Sequence, residues 1–389
     1  MDADRYLKIK SLPKYFLFLM IYFFLYPFCK ILYGRKNNWL ICERGNDAQD
    51  NGFVFFKYVV EHHPEINITY LIKRESTEFQ KVKNVGKVVQ FGSLKHFMMC
   101  IGYPIKISSH LYGYSPWIQM TTFFRRNKTR DKHIFLQHGI TKNYHAGLCA
   151  GACKSLSLFI CGAKPEFEYI FNEFGYHNSV PQYTGFARYD LLNHFKVKNQ
   201  ILFMPTWRAK LTGLSDEEFT KSSFYKEWVS LLNNEKLMQI CNDNDLTIKF
   251  YIHYSLQKYS HLFKGNDLIK IVNFGEETVQ KLLKESKLLV TDFSSVYFDF
   301  AYMHKPLVYF QFDENTFFDE HYAKGYFDYR RDGFGDVCVD KEMALNSIIS
   351  LISSGFSLEE KYCQRIGNNF KLRDTNNCER IFELIQDLQ

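Results

Sequence analysis

The sequence lacks the paired cysteines of metal-binding and disulfide-rich chains. Its 389 residues include ten cysteines, but no CxxC pair occurs, and the closest two are Cys149 and Cys153. Structural zinc sites usually draw on close pairs at both ends, and disulfide frameworks are typical of short secreted chains. We therefore expect free thiols in a reducing, cytoplasmic compartment.

Several signatures of catalysis and of nucleic-acid binding are also missing. The chain contains no GxGxxG, no Walker loop and no GxSxG. No Asp-x-Asp pair follows a strand, as it does in metal-dependent sugar transferases. No long Lys/Arg block or nucleic-acid motif occurs either. We predict no bound metal, no cofactor and no nucleic-acid partner, and the oligomeric state stays open.

The charge and the length leave two broad classes open. Lys and Arg exceed Asp and Glu by 49 to 42, which gives a net charge of +7. This mild positive balance fits an anionic membrane surface or a phosphate-rich substrate, and it fits a slightly basic soluble protein as well. The length predicts two or three domains.

One long apolar run lies near the N-terminus. Residues Tyr15–Tyr33 contain a single charged side chain, Lys30, and a helix of this length is close to the thickness of a hydrocarbon core. Basic residues on both sides of the run give a poor orientation signal. They are Arg5, Lys8, Lys10 and Lys14 before it, and Arg35 and Lys36 after it.

Three interpretations of this run compete. A spanning helix would be kinked by Pro27, and with its N-terminus inside it would place the body on the side without nucleotide donors. A helix in the membrane interface, anchored by tyrosines and flanked by cations, avoids this problem. A helix buried against the body is the third interpretation. We favour a membrane-associating segment at 1–37 that attaches the chain to the cytoplasmic face of the cell membrane as a peripheral or monotopic protein.

The rest of the chain alternates apolar strands with helical stretches, which predicts an α/β fold of parallel sheets with helices on both faces. The predicted strands are Trp39–Glu43, Ile68–Lys73, Lys87–Phe91, Ile105–Ser108, His133–Gln137, Leu158–Cys161, Gln200–Met204, Thr247–Ile252, Ile269–Val272, Lys287–Thr291 and Leu307–Phe310. We place one Rossmann-like domain at 38–195 and a second at 196–389, and the last helix of the second can pack back on the first domain. Two doubly wound domains facing a cleft bind ligands at the carboxyl ends of their strands.

A histidine and a glycine follow the strand HIFLQ directly. His138 at a strand's carboxyl end can accept a proton from an attacking hydroxyl near neutral pH, and Gly139 lets another group approach the backbone closely. The alternative is a structural histidine that is hydrogen-bonded to a backbone carbonyl.

A cluster of hydroxyls follows the strand KLLVT. Thr291, Asp292, Ser294 and Ser295 lie where a strand passes into a helix. The helix dipole and free backbone N–H groups favour an anion there, so this turn predicts a diphosphate cradle. A serine at a helix start is more often a simple cap, but the cluster is more specific than one cap.

Two further strand ends carry phosphate-binding candidates. Arg208 follows QILFM and offers a fork of donors that suits phosphate oxygens, with an interdomain salt bridge as its alternative. His253 follows TIKFYI in the same way. A weaker set of residues are candidates for contact with an acceptor or between the domains, namely Gly139, Arg188, Asp190, Arg44, Asp47 and Asn51. A structural role or a solvated loop explains these residues equally well.

Taken together, these motifs resemble the CDP-glycerol glycerophosphotransferases that build teichoic acids and related capsules. The resemblance lies in LQHGITK, TGFARYDLL, FMPTWR and VTDFSSVYFDFAYMHKPLVYFQFD, and it extends over residues 38–389. Each motif is weak alone, but their order and spacing are specific. One departure is His253-Tyr254, where the family usually has His-Pro.

The resemblance implies a glycosyltransferase-B-like fold, attachment to the inner membrane leaflet and a CDP-activated polyol as donor. It also implies that domain 38–195 is the acceptor side and that domain 196–389 binds the nucleotide donor. It implies that His138 is the base and that Arg208 and His253 contact the donor phosphates. Thr291, Ser294 and Ser295 correspond to the phosphate-cradling turn.

These inferences predict transfer of glycerol phosphate, or a related polyol phosphate, from a CDP-linked donor to a hydroxyl of a lipid-linked teichoic acid or capsular polymer, with release of CMP. One alternative is a nucleotide-sugar-dependent glycosyltransferase of capsule or cell-wall synthesis. Another is a catalytically inactive membrane-bound scaffold. The polyol, the acceptor and the number of units added stay open.

Overall fold

The computed structural model describes residues 3–320 and 324–389, which form two compact units. The first unit comprises residues 1–138, 146–190 and 372–389, and the second comprises residues 139–145 and 191–371. The predicted segment 1–37 therefore begins with two residues outside the described part.

The first unit contains a seven-stranded parallel sheet in the order β3-β2-β1-β4-β5-β6-β7. Its strands are β1 (Asn38–Cys42), β2 (Asn67–Ile72), β3 (Val88–Gln90), β4 (Ile105–Ser108), β5 (Lys132–Phe135), β6 (Leu156–Cys161) and β7 (Pro181–Tyr183). The central strands β1 and β4 are buried along their whole length, because helices cover both faces of a parallel sheet.

The second unit contains a six-stranded parallel sheet in the order β10-β9-β8-β11-β12-β13. Its strands are β8 (Gln200–Met204), β9 (Thr247–Phe250), β10 (Ile269–Ile271), β11 (Leu288–Thr291), β12 (Leu307–Phe310) and β13 (Gly335–Cys338). Tyr259, Phe250 and Trp228 help to fill its apolar core.

The helices alternate with the strands along the chain. In chain order they are α1 (Ala3–Tyr33), α2 (Asn51–His62), α3 (Phe79–Val85), α4 (Leu94–Gly102), α5 (Ile118–Arg126), α6 (Lys164–Glu173), α7 (Asp216–Lys221), α8 (Ser223–Leu232), α9 (Glu235–Asp243), α10 (Val279–Glu285), α11 (Val296–Tyr302), α12 (Glu314–Glu320), α13 (Tyr329–Asp332), α14 (Lys341–Ser353), α15 (Glu360–Asn369) and α16 (Asn377–Asp387). The first six and α16 belong to the first unit, and the others belong to the second.

Both sheets are doubly wound, as the alternating pattern predicts. In each, the strand order reverses next to the first strand, between β1 and β4 in one sheet and between β8 and β11 in the other. Ligands bind at the carboxyl ends of strands beside such reversals. These two reversals therefore mark where each unit can hold a ligand.

All eleven predicted strands are present, with ends that differ from the prediction by at most two residues. The prediction missed β7 and β13, which are short edge strands that begin with Pro181 and Gly335. All ten cysteines are free thiols.

The division of the chain differs from the single boundary placed after residue 195. Residues 139–145 belong to the second unit although both their flanks belong to the first, and the chain enters the second unit again at Leu191. Helix α16 packs on α2 in the first unit. There Phe382 stacks on His63 at a centroid distance of 3.4 Å and contacts Trp39 at 5.4 Å.

Helix α1 is attached to the first unit by a buried group of charges. Lys30 Nζ donates to Asp131 Oδ1 (2.5 Å) and to the Gly102 carbonyl (3.0 Å). Lys106 Nζ donates to the other carboxylate oxygen of Asp131 (2.8 Å), and Lys106 is fully buried. Phe18 and Tyr22 on the same face of α1 are buried beside Phe123 of α5.

The opposite face of α1 is apolar and exposed. Its side chains recur every three or four residues and are Phe16, Leu17, Met20, Phe23, Phe24, Phe28, Ile31 and Leu32, with Phe24 exposed to 82% and Ile31 to 83%. By length and composition, Pro13–Tyr33 is apolar enough to cross a membrane. In the structure, this helix is instead packed along one side and open along the other.

Substituting Asp131 with Asn should destabilise the first unit strongly. The change leaves two lysine charges without their carboxylate, one of them fully buried, and breaking a buried pair in this way costs roughly 3–5 kcal/mol. Denaturant unfolding measures the loss. Glu217→Gln, which breaks the exposed pair with Lys221, is the control and should cost less than about 1 kcal/mol. Equal effects of the two substitutions would contradict the assigned role of Asp131.

Candidate functional site

Three side chains meet at the strand reversal of the first sheet. Arg44 follows β1, His110 follows β4 and His138 follows β5. Arg44 Nε donates to His110 Nε2 at 2.7 Å. The rings of His110 and His138 stack with centroids 4.5 Å apart and an angle of 12° between their planes. The structure therefore brings the predicted His138 and Arg44 together through a histidine that the sequence interpretation missed.

The surroundings of His138 favour its neutral form. The ring keeps an exposed face, but protein atoms crowd its other sides, and this desolvation with the charges of Arg44 and Arg188 lowers the pKa of His138 to about 4. Burial, with His138 and Arg44 nearby, also lowers the pKa of His110. At neutral pH His138 is therefore unprotonated and able to accept a proton.

A strained residue precedes His138. Gln137 has a backbone φ of +58°, a conformation that non-glycine residues adopt only when their surroundings enforce it. Here its side chain is buried and donates to the Ile160 carbonyl (2.6 Å) and to Glu166 Oε1 (3.0 Å). Asn51 Nδ2 donates to the Gln137 carbonyl at 2.7 Å. These bonds fix the direction of the chain as it reaches His138.

The predicted acceptor candidates separate into two groups. Asn51 is fully buried, and its side chain bonds the backbone of Gln137 and Arg188. Asp190 accepts hydrogen bonds from the backbone N–H groups of Asn377 and Cys378, where α16 begins. Both side chains thus hold the backbone of the first unit, and contact of either with an acceptor stays a prediction.

The other candidates stay near the strand reversal. Arg188 is buried and pairs with Asp50 at 2.8 Å. Arg44 and Asp47 are exposed and lie 3.9 Å apart. Glu43, also at the end of β1, is buried and accepts three backbone N–H groups at the start of α2. Burial and the nearby Asp50 raise the pKa of Glu43 to about 7.

An ion-pair network lies at the strand reversal of the second sheet. Arg208 donates through Nη2 to Asp292 Oδ2 (2.9 Å), and it makes a two-pronged contact with Asp313 through Nε (2.8 Å) and Nη2 (2.9 Å). Its Nη1 donates to the carbonyls of Thr206 and Trp207. All of these partners lie in the second unit, and binding of phosphate by Arg208 stays a prediction.

Asp292 in turn shapes the backbone around it. Its Oδ1 accepts the backbone N–H groups of Thr206 (2.7 Å) and Phe293 (2.6 Å), and the residue is fully buried. Thr291 is also fully buried, and its hydroxyl donates to the Met204 carbonyl at 2.6 Å. Thr291 thus joins β11 to β8, and its part in a phosphate cradle stays a prediction.

The two serines of the turn remain available to a ligand. Ser294 and Ser295 are half-buried, and the Ser295 side chain makes no capping hydrogen bond to α11. Thr206, which the sequence interpretation did not single out, has a buried hydroxyl without a hydrogen-bond partner among the described residues. Helix α11 has seven residues, so the hydroxyl groups, rather than a long helix dipole, distinguish this turn.

Gly139 lies against this turn in the second unit. A Cβ atom added to Gly139 would be 2.9 Å from Ser295 Oγ, which is too close for an ordinary contact. The close approach expected from this glycine is made by the Ser295 side chain.

His253 lies beyond β9, as expected from the sequence. Its ring is half-buried and stacks on Trp207 with centroids 6.1 Å apart. The Ser255 backbone N–H donates to His253 Nδ1 at 3.3 Å, which leaves Nε2 as the ring nitrogen that points away from this cap.

Comparison with known proteins identifies the family of this chain. The family described as CDP-glycerol:poly(glycerophosphate) glycerophosphotransferase matches residues 187–387, more than half of the chain. The minor teichoic acid biosynthesis protein GgaB of Bacillus subtilis (strain 168) is 30% identical over 369 residues, which are 92% of this chain and 40% of that protein. The teichoic acid poly(glycerol phosphate) polymerase of the same strain is 23% identical over 351 residues, 83% of this chain and 45% of that protein. The chain spans less than half the length of these two relatives.

Solved structures share the fold. A variant of the wall teichoic acid polymerase TagF matches with a TM-score of 0.71 at 15% identity, over 100% of this chain and 99% of that one. The UDP complex of Staphylococcus aureus MnaA matches with a TM-score of 0.55 at 11% identity, over 91% and 96% of the two chains. At these identities the likeness concerns the fold alone. The family match carries the assignment: the chain belongs to the CDP-glycerol:poly(glycerophosphate) glycerophosphotransferases.

Proposed function

We propose that this chain transfers glycerol phosphate from CDP-glycerol to a hydroxyl of a lipid-linked teichoic acid or capsular polymer and releases CMP. The family match supports the donor class, and the relatives named above act in teichoic acid synthesis. The observation that carries the proposal is chemical. A neutral, partly exposed histidine ends a strand beside the reversal of one sheet, and two available serines follow a strand at the reversal of the other.

The proposal assigns the acceptor to the first unit and the donor to the second, as in a glycosyltransferase-B-like enzyme. The acceptor oxygen attacks the β-phosphorus, and the bond between this phosphorus and the bridging oxygen breaks, so that CMP leaves. His138 takes the proton of the acceptor hydroxyl. Arg44 and Asp47 are the exposed candidates for acceptor contact near His138, and buried Arg188 adds positive charge there.

On the donor side, Ser294, Ser295, Thr206 and His253 offer hydrogen bonds to the diphosphate. Arg208 and Asp292 hold the turn in place. Preorganised donors of this kind supply most of the rate in phosphoryl transfer.

We also propose that the exposed face of α1 lies in the interface of the cytoplasmic membrane leaflet. A helix joined to the body through Lys30, Asp131 and Lys106 along one side offers only its other side to lipid. Next to its C-terminal end, two adjoining cavities of about 460 and 510 Å³ are lined by basic residues that would attract anionic headgroups. These residues are Arg35, Lys36, Lys87 and Lys95.

Substituting His138 with Ala should lower CMP release from CDP-glycerol in the presence of acceptor by a hundredfold or more, because general bases contribute roughly 10²–10⁴. His177→Ala, at an exposed histidine of the same unit, is the control and should retain the rate. The wild-type rate should also fall as the pH approaches about 4, where His138 becomes protonated. An unchanged rate in the Ala variant would remove His138 from the mechanism.

Substituting Gly139 with Ala should weaken donor use without unfolding the chain. The new methyl group meets Ser295 Oγ, so the serine must move, and a displacement of about 1 Å at such a site costs on the order of a hundredfold in rate. Gly151→Ala, where no atom lies within 4 Å of an added Cβ, is the control. Steady-state kinetics with varied CDP-glycerol measures the effect, and equal kcat/KM for the two variants would be evidence against a role for Ser295.

Substituting Phe24, Phe28 and Ile31 together with Ser should release the protein from phospholipid vesicles. Each lost side chain forfeits about 1.5–3 kcal/mol of burial, so binding should fall more than a hundredfold in a flotation assay. The same change at Val197, Phe274 and Val339, which are exposed apolar residues of the second unit, should leave binding intact. Wild-type protein should be extracted from membranes by alkaline carbonate, and resistance to extraction would instead indicate a spanning helix.

A further inference from the structure

The segment Gly139–His145 of the second unit contains a buried lysine, Lys142. Lys142 Nζ donates to the Phe293 carbonyl (2.8 Å), to the Tyr329 hydroxyl (2.5 Å) and to the Tyr297 hydroxyl (3.3 Å). The ammonium group also lies 4.7 and 4.8 Å from the ring centroids of Tyr297 and Tyr329. The side chain is buried, and each of its three N–H donors has an oxygen acceptor.

Burying a lysine in this way costs free energy of folding. A buried cation is tolerated only when it is fully hydrogen-bonded or paired. Burial lowers the pKa of Lys142 to about 7, while the charge of Asp292 acts in the opposite direction. A simple apolar side chain would fill the same space without this penalty, so a packing role alone does not account for a lysine here.

The lysine acts on the turn that we assign to the donor. Its carbonyl acceptor belongs to Phe293, between Asp292 and Ser294. The Phe293 N–H is held by Asp292 Oδ1, so Lys142 and Asp292 fix the two sides of one residue. Through the segment that Lys142 anchors, Gly139 is kept against Ser295.

We propose that Lys142 is the positioning residue of the donor-binding turn. It holds the Phe293 carbonyl so that the Ser294 and Ser295 hydroxyls face the diphosphate, and it acts through the turn without contacting the substrate. This proposal rests on the proposed function, because it assumes that CDP-glycerol binds at Ser294 and Ser295.

The second unit contains a matched control for this lysine. Lys305 is equally buried, and its Nζ donates to three backbone carbonyls, those of Leu283 (2.9 Å), Lys284 (2.6 Å) and Ser286 (2.9 Å). Burial lowers its pKa to about 7 as well. Its partners are at the end of α10, and none belongs to the 292–295 turn. Lys305 thus shares the burial and the bonding of Lys142 without the contact to that turn.

The experiment compares Lys142→Met with Lys305→Met in the full chain. Both variants lose a buried cation with three acceptors, so both should lower the melting temperature. At a temperature where both are folded, kcat/KM for CDP-glycerol should fall on the order of a hundredfold in Lys142→Met and stay close to wild type in Lys305→Met. Parallel losses in the two variants, or wild-type kinetics in Lys142→Met, would overturn the proposal.

A milder variant covers the case in which Lys142→Met does not fold. Tyr329→Phe removes one acceptor of Lys142 and leaves the lysine in place, so it should lower kcat/KM by a smaller factor. Tyr259→Phe, whose hydroxyl bonds the carbonyls of Leu211 and Leu214 in the same unit, is its control. Equal kcat/KM in these two variants would contradict the proposal.

Calorimetric titration of the wild-type protein with CDP-glycerol tests the proposed function separately from the role of Lys142. Absence of binding would remove the proposed function and the role of Lys142 together. Wild-type binding with no difference between the lysine variants would remove the role of Lys142 alone.

Discussion

A single buried guanidinium organises the second unit. Arg208 is shared by Asp292, which follows β11, and Asp313, which follows β12. With these charges paired, Asp292 is free to accept two backbone N–H groups and to set the course of the turn after β11. A buried pair of this kind adds little stability over a well-packed apolar core, but the loss of one partner leaves an uncompensated charge. Its value here is geometric, because it fixes the backbone that presents Ser294 and Ser295.

The first unit uses a different device for a comparable purpose. The residue before His138 is held in a left-handed conformation by buried hydrogen bonds from Gln137 to Ile160 and Glu166. His138 then stacks on His110, and Arg44 donates a hydrogen bond to a ring nitrogen of His110. Each unit therefore contains a network of buried polar contacts near the strand reversal of its own sheet. Both arrangements control the direction of a side chain that the proposal assigns to substrate binding.

The sequence predicts the strand pattern, the doubly wound sheets and the placement of His138 and Ser294 at strand ends, because apolar runs and the residues that follow them are local features. It does not predict what meets across the fold. Arg208 looks like a free phosphate fork until Asp313, 105 residues later, is found to occupy it. His110 carries the same signal as His138, a histidine after a buried strand, but its importance depends on β4 lying next to β1. The hydroxyl of Thr291 likewise donates a hydrogen bond to a carbonyl of the neighbouring strand β8.

The central claim concerns which bond of the donor breaks, and phosphorus NMR tests it directly. CDP-glycerol, the full chain and a hydroxyl-bearing acceptor are incubated together, and the nucleotide product is followed over time. Attack at the β-phosphorus predicts CMP as the nucleotide product, together with a new phosphodiester signal. Release of CDP would show attack at carbon, as in a sugar transferase, and unchanged CDP-glycerol with a competent acceptor would contradict the proposed transfer.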